Sequence, residues 1–149
     1  MKRILLPCLL AVLGVFILQS GTVFADGNHK KHSVVYELDS ADLAHEKATL
    51  NNISNHIKSP SGPSTRIYLV IHGGGYHLLT SAKTDPQLQA NIDNLKLSGV
   101  KIKVCNNTLE SNHLNYKTDM YDVHKDDIVP SGVAYITDKQ FEGWAYMHP

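Results

Sequence analysis

Residues 65–71, Thr-Arg-Ile-Tyr-Leu-Val-Ile, end in a nearly unbroken apolar run that stops at His72-Gly73-Gly74-Gly75. So short a run, rich in β-branched and aromatic residues, reads as a strand, and apolar side chains on successive positions suit a strand covered on both faces. The pattern recurs along the chain. Ser33–Leu38 (SVVYEL) predicts a first strand, Val100–Cys105 a third, residues 126–132 (DDIVPSG) a short fourth, and Trp144–His148 (WAYMH) a last one. Helical stripes separate them. Ser40 is a predicted N-cap for a helix to about Ile57 carrying Leu43, Leu50, Ile53 and Ile57. Residues 59–64 (SPSGPS) are a turn cluster. Asp85 and Pro86 open a second helix with Leu88, Ile92 and Leu95 on one face and Gly99 as its stop. A helix begins at about Thr108, and residues 133–141 (VAYITDKQF) form another that ends at Gly143. Strict alternation of this kind predicts an α/β fold: a mostly parallel five-stranded sheet with helices on its faces.

The first 25 residues do not belong to that pattern. Lys2 and Arg3 precede an apolar run from Ile4 to Leu18, then a more polar stretch and Val23-Phe24-Ala25, a good cleavage site. This is the form of a secretory signal peptide. The rival reading is an uncleaved membrane anchor, but the apolar run is short of the ~20 residues a span needs, so cleavage is expected, and after it no stable membrane insertion. Residues 26–32 (DGNHKKH) read as a flexible lead-in, leaving 33–149 as one domain. The expected location is periplasmic or secreted. Cleavage removes Cys8 and leaves Cys105 as the only thiol. An odd cysteine in an exported protein is buried, paired between chains, or reactive.

A chain of 149 residues with zero formal net charge offers no electrostatic case for nucleic acid or an anionic membrane. The chemistry must come from local constellations. In an open parallel sheet, ligands bind beyond the carboxyl ends of the strands. Three such ends carry distinctive residues: His72 with Gly73, Gly74 and Gly75; Cys105 with Asn106, Asn107 and Thr108; and Pro130 with Ser131 and Gly132. With parallel strands all three lie on one rim. Alternation of Val100, Ile102 and Val104 with Lys101, Lys103 and Cys105 turns Cys105 toward the lysine face. A thiol between a strand and a helix start is favoured as thiolate by unpaired backbone N–H groups. The bland reading is a buried cysteine acting as a small hydrophobe. The glycines lack both P-loop and dinucleotide spacing. They read as a permissive turn, a lining for a binding site, or space left beside a neighbouring sulfur. His72 reads as a base or partner for Cys105, or as a structural histidine.

No cofactor and no metal site are expected. No Cys-x-x-Cys appears, no His-x-x-x-His pair sits on a clear helix, and one cysteine cannot build a thiolate zinc site. His29 and His32 near the expected mature N-terminus offer at most weak copper or nickel binding.

The order VVYELDS, RIYLVIHGGGYHLL, NLKLSGVKIKVCNNTL and IVPSGVAYITDKQFEGWAYMHP resembles the DsrE/DsrF-like superfamily, and most closely its exported branch. The resemblance spans residues 33–149. It implies a three-layer α/β/α domain that assembles as trimers or hexamers. In sulfur-relay relatives a cysteine after the third strand accepts sulfur as a persulfide, and Cys105 falls at that position. The resemblance further implies a sulfur donor or acceptor protein, or a small sulfur compound, as partner, with His72 and Gly73–Gly75 lining the same pocket. The alternative function is a non-catalytic oligomeric module that binds a small ligand or a protein at the strand-end rim, with Cys105 only packing.

Overall fold

The structure, a computed structural model, describes residues 32–149. The expected signal peptide, Cys8 and all but the last residue of the lead-in lie outside the described residues. Strands β1 (Ser33–Leu38), β2 (Arg66–Ile71), β3 (Lys101–Cys105), β4 (Ile128–Val129) and β5 (Ala145–Met147) form one sheet in the order β4-β3-β2-β1-β5. Every neighbouring pair is parallel, so the sheet is wholly rather than mostly parallel. Helices α1 (Leu43–Lys58), α2 (His77–Ser81), α3 (Pro86–Leu97), α4 (Asn106–Ser111), α5 (Tyr116–Asp119) and α6 (Gly132–Phe141) connect them. Among the described residues, no helix is long and apolar enough to cross a membrane.

The sheet separates two unequal cores. Val34, Tyr36 and Leu38 of β1, Ile67, Leu69 and Ile71 of β2, and Ile102 and Val104 of β3 point to one side, where they meet Leu50 and Ile53 of α1, Leu78 and Leu79 of α2, and Leu88, Ile92 and Leu95 of α3. On the other side Val35, Val70 and Ile136 of α6 form a small cluster flanked by Tyr68 and Tyr135. That face ends in a cation–aromatic patch in which Trp144 lies 4.6 Å from the Tyr68 ring and Arg66 sits 5.0 Å from the Trp144 centroid.

Helix starts follow side-chain chemistry. Asp85 accepts from the N–H groups of Gln87 and Leu88, and Pro86 occupies the first turn, as expected. Gly99 takes φ +90° just past α3, the left-handed stop that the sequence predicts. Helix α1 corrects its expected start: Asp42, not Ser40, is the N-cap, accepting from Ala44 N–H, while Ser40 Oγ accepts from Asp42 N–H. Leu43 then stands at the first helical position and is exposed, off the apolar stripe that buries Leu50 and Ile53. Helix α4 begins at Asn106, two residues before its expected start, so Cys105 is both the last strand residue and the N-cap. Residues 73–76 coil into a 3-10 turn that runs into α2.

Candidate functional site

Parallel pairing brings the carboxyl ends of β1, β2 and β3 to one rim. Cys105 emerges on the face that also carries Lys101 and Lys103, opposite Val104, as the alternation requires. It is 5% exposed and is the free cysteine among the described residues. Two helix starts converge on its sulfur. Backbone N–H groups of Asn107 and Thr108 reach it from α4, the Gly132 N–H reaches it from α6, and the Thr108 hydroxyl adds a side-chain hydrogen bond. Burial, the largest single influence, pushes the thiol up. The four hydrogen bonds together outweigh it, and Cys105 is held below the ordinary thiol value.

Thr108 is buried and serves two neighbours. Its oxygen accepts from Gly73 N–H at 3.0 Å, and its hydroxyl faces Cys105. The turn after β2 is thereby tied to the cysteine. Gly132 is the close neighbour of both strand ends: a Cβ there would stand 3.2 Å from Cys105 Cβ and 3.0 Å from His72 Cβ. The absent side chain lets the α6 N-terminus seat on the sulfur.

The three consecutive glycines do something else. A Cβ on Gly75 would lie 2.2 Å from Leu38 O, and one on Gly74 would lie 2.8 Å from Ala41 N. These two residues admit the connection between β1 and α1, and Gly73, at φ +51°, makes the turn itself. The room these glycines leave, expected beside the sulfur, is therefore filled by Leu38–Ala41 at Gly74 and Gly75, and Gly132 is the glycine that borders Cys105.

His72 flanks Gly132, but its Nε2 meets Glu37 Oε1 at 2.5 Å rather than the thiol. Glu37 also accepts from the Tyr146 hydroxyl, so β1, β5 and the residue after β2 are joined by one carboxylate. Burial and Glu37 push Tyr146 up to about 12, which keeps its hydroxyl neutral and donating. Glu37 and Tyr146, with Val133, Ile136, Thr137 and Gln140, line a cavity of about 280 Å³ beside α6. A larger hollow of about 510 Å³ around Tyr116, Met120 and His124 shares no residue with the strand-end cluster, and chemistry favours the smaller one.

Of the other expected binding residues, Asn107 contributes its backbone N–H, not its exposed side chain. Asn106 donates to Glu110 at 2.7 Å and Ser131 caps α6, accepting from Ala134 N–H at 3.4 Å. Thr108 and Gly132 stand in the quoted strand-end motifs, so a reading of backbone and hydroxyl donors would have found them. Glu37 and Tyr146, 109 positions apart, leave no local signal.

Comparison with known proteins places these features in a family. The profile of the DsrE/DsrF-like family matches residues 15–149. Among solved structures, the chain is similar to a protein of unknown function, MTH1491, from Methanobacterium thermoautotrophicum, with 29% identity and a TM-score of 0.66 over 79% of this chain and 99% of that one. No curated protein matches it.

Proposed function

This chain belongs to the DsrE/DsrF-like family, and on that premise we propose that Cys105 is a sulfur-carrying thiol. The observation that carries the reading is the ring of donors around its sulfur: three backbone N–H groups and the Thr108 hydroxyl, enough to hold the buried thiol below its ordinary value. Such a thiolate attacks the outer sulfur of a sulfane-sulfur donor, a persulfide or polysulfide. The new S–S bond forms to Cys105, the old S–S bond breaks, and its electron pair leaves on the donor as a thiolate or shorter polysulfide. The same donors then stabilise negative charge at the inner sulfur when an acceptor thiolate attacks the outer one and Cys105 leaves. No net oxidation occurs in either step. Residues 1–25 act as a signal peptide in this reading, the protein works in the periplasm or outside the cell, and it functions as a homo-oligomer.

The test is mass spectrometry of the intact protein after exposure to inorganic polysulfide. A gain of one sulfur atom on the wild type, reversed by dithiothreitol and absent in Cys105→Ser, is the expected result. A Cys105 that takes up no sulfur and resists alkylation in the folded protein ends the carrier reading.

The 5% exposure of Cys105 favours a second reading, a non-catalytic oligomeric binding module with the thiol as packing. Under it, Cys105→Ala leaves both assembly and ligand binding intact.

A further inference from the structure

Asp39, His45 and His148 come from three different elements. Asp39 follows β1, His45 lies in the first turn of α1, and His148 follows β5. Parallel pairing of β1 with β5 brings the residues after β5 beside the β1–α1 connection. The potential ligand atoms of the three residues all lie within 4.8 Å of one another. His148 Nε2 stands 3.2 Å from Asp39 Oδ1, and the two imidazole centroids are 6.0 Å apart with planes inclined by 64°.

We propose that these three side chains bind a late first-row divalent transition metal, Zn²⁺ or its Co²⁺ and Ni²⁺ analogues. Three tests of chemistry agree. The first is spacing: around zinc, with bonds of about 2.0–2.1 Å, tetrahedral ligand atoms are about 3.3 Å apart. The Asp39–His148 pair already has that separation, and the widest pair needs a closure of about 1.5 Å from side chains that are exposed or half-buried. The second is an orphan atom. His45 Nε2 is buried and has no hydrogen-bond partner, a condition that in folded proteins calls for a water, an ion or another explanation. A metal on that nitrogen satisfies it. The third is donor type. Two imidazole nitrogens and one carboxylate oxygen suit zinc, nickel and copper, whereas calcium and magnesium require sets of oxygens. Three protein ligands leave a fourth position for water or an exogenous donor. Sequence spacing hides this site, because its ligands stand at 39, 45 and 148 rather than in a local motif.

The site connects to the strand-end rim through backbone. Asp39 O lies 3.1 Å from where a Gly73 Cβ would stand, and Gly73 N–H is the donor to Thr108. The proposal does not depend on Cys105 carrying sulfur, and its test uses no sulfur chemistry.

The experiment is titration of the full chain with ZnCl₂ by calorimetry, paired with visible spectroscopy under CoCl₂. One equivalent of Zn²⁺ binds the wild type, and Co²⁺ gives the intense visible bands of tetrahedral coordination. His148→Ala and Asp39→Asn, both at exposed positions and hence compatible with folding, each weaken Zn²⁺ by about 100-fold or more and abolish those bands; loss of a merely supporting group costs about 10–100-fold. Cys105→Ser and the double variant His29→Ala/His32→Ala bind as the wild type does. Wild-type affinity in His148→Ala, or loss of binding in the His29→Ala/His32→Ala protein, overturns the proposal. So does a wild type that binds no Zn²⁺.

Discussion

On the face of the sheet under α1, α2 and α3, the strands present Val34, Tyr36, Leu38, Ile67, Leu69, Ile71, Ile102 and Val104. On the face under α6 the same strands present Val35, Glu37, Tyr68, Val70, Lys101, Lys103 and Cys105. The first face is closed by several helices and its strands present only apolar side chains and Tyr36, while Glu46 and Thr49 of α1 are the buried polar residues above it. The second has one principal helix, three buried apolar residues in its cluster, and the ionisable and nucleophilic groups of the candidate site. The difference teaches how a small domain divides its labour. One side supplies the burial that holds the sheet flat against its helices, at about 25 cal/mol per Å² of apolar surface. The other side is then free to hold polar groups, each with a partner, at the strand ends.

The largest test of that division is a pair of truncations. Leu69→Ala on the crowded face should destabilise by about 3–4 kcal/mol, while Ile136→Ala on the thin face should lose about 2 kcal/mol, because a cavity under a single helix collapses more readily. Urea unfolding of the two proteins decides it, and equal losses would break the comparison.

Gly132→Ala comes next. Its new methyl would stand 3.0–3.2 Å from the Cβ atoms of His72 and Cys105, both anchored by backbone, so α6 must shift. A loss of about 1–2 kcal/mol is expected, together with faster alkylation of Cys105 as the covering helix start moves away. Unchanged alkylation would show that α6 does not govern access to the sulfur.

Thr108→Val removes the hydroxyl donor to the thiol, and the pH profile of Cys105 alkylation should move to higher pH. The sign for stability follows. A thiol held low in the folded state contributes stability that is fully present above the unfolded value and is lost as pH falls through the folded value. Cys105→Ala should therefore flatten the alkaline side of a stability–pH curve, measured by thermal melts. A profile in Thr108→Val identical to wild type would remove the hydroxyl from the account.

The smallest effect is expected at Tyr146→Phe. Its hydroxyl bonds Glu37 on a strand whose three residues are all exposed, and the melt should change by less than about 1 kcal/mol. A larger loss would mean that the thin face is held by its carboxylate bridge rather than by Val35, Val70 and Ile136.

The fold was legible wherever periodicity and capping were local. Arg66–Ile71 and Lys101–Cys105 carry β-branched runs, and Asp85, Pro86 and Gly99 mark α3 at both ends. Period-two alternation alone put Cys105 on the correct face. Helix α2 escaped because it has only five residues and grows out of a glycine turn with no cap side chain. Asp42 replaced Ser40 as N-cap because both are capping residues and only backbone geometry chooses between them. The glycine turn was legible as a strand end, but its purpose was not: what Gly74 and Gly75 admit is Leu38–Ala41, a segment over thirty positions upstream. Partnerships such as Glu37 with Tyr146 exist only once the sheet order is known.

That sheet order has a consequence in time. Strand β5, the last strand described, lies beside β1, the first, and their side chains meet across 109 positions. A ribosome making the protein releases β1 about a hundred residues before it supplies the second neighbour of that strand. Until then one edge of β1 is unpaired, and Glu37 and Asp39 wait for Tyr146 and His148. Contacts so distant in sequence form slowly. The newborn chain therefore passes through a long interval with an open β edge, in which a chaperone has its best opportunity to bind and a neighbouring chain its best opportunity to pair wrongly.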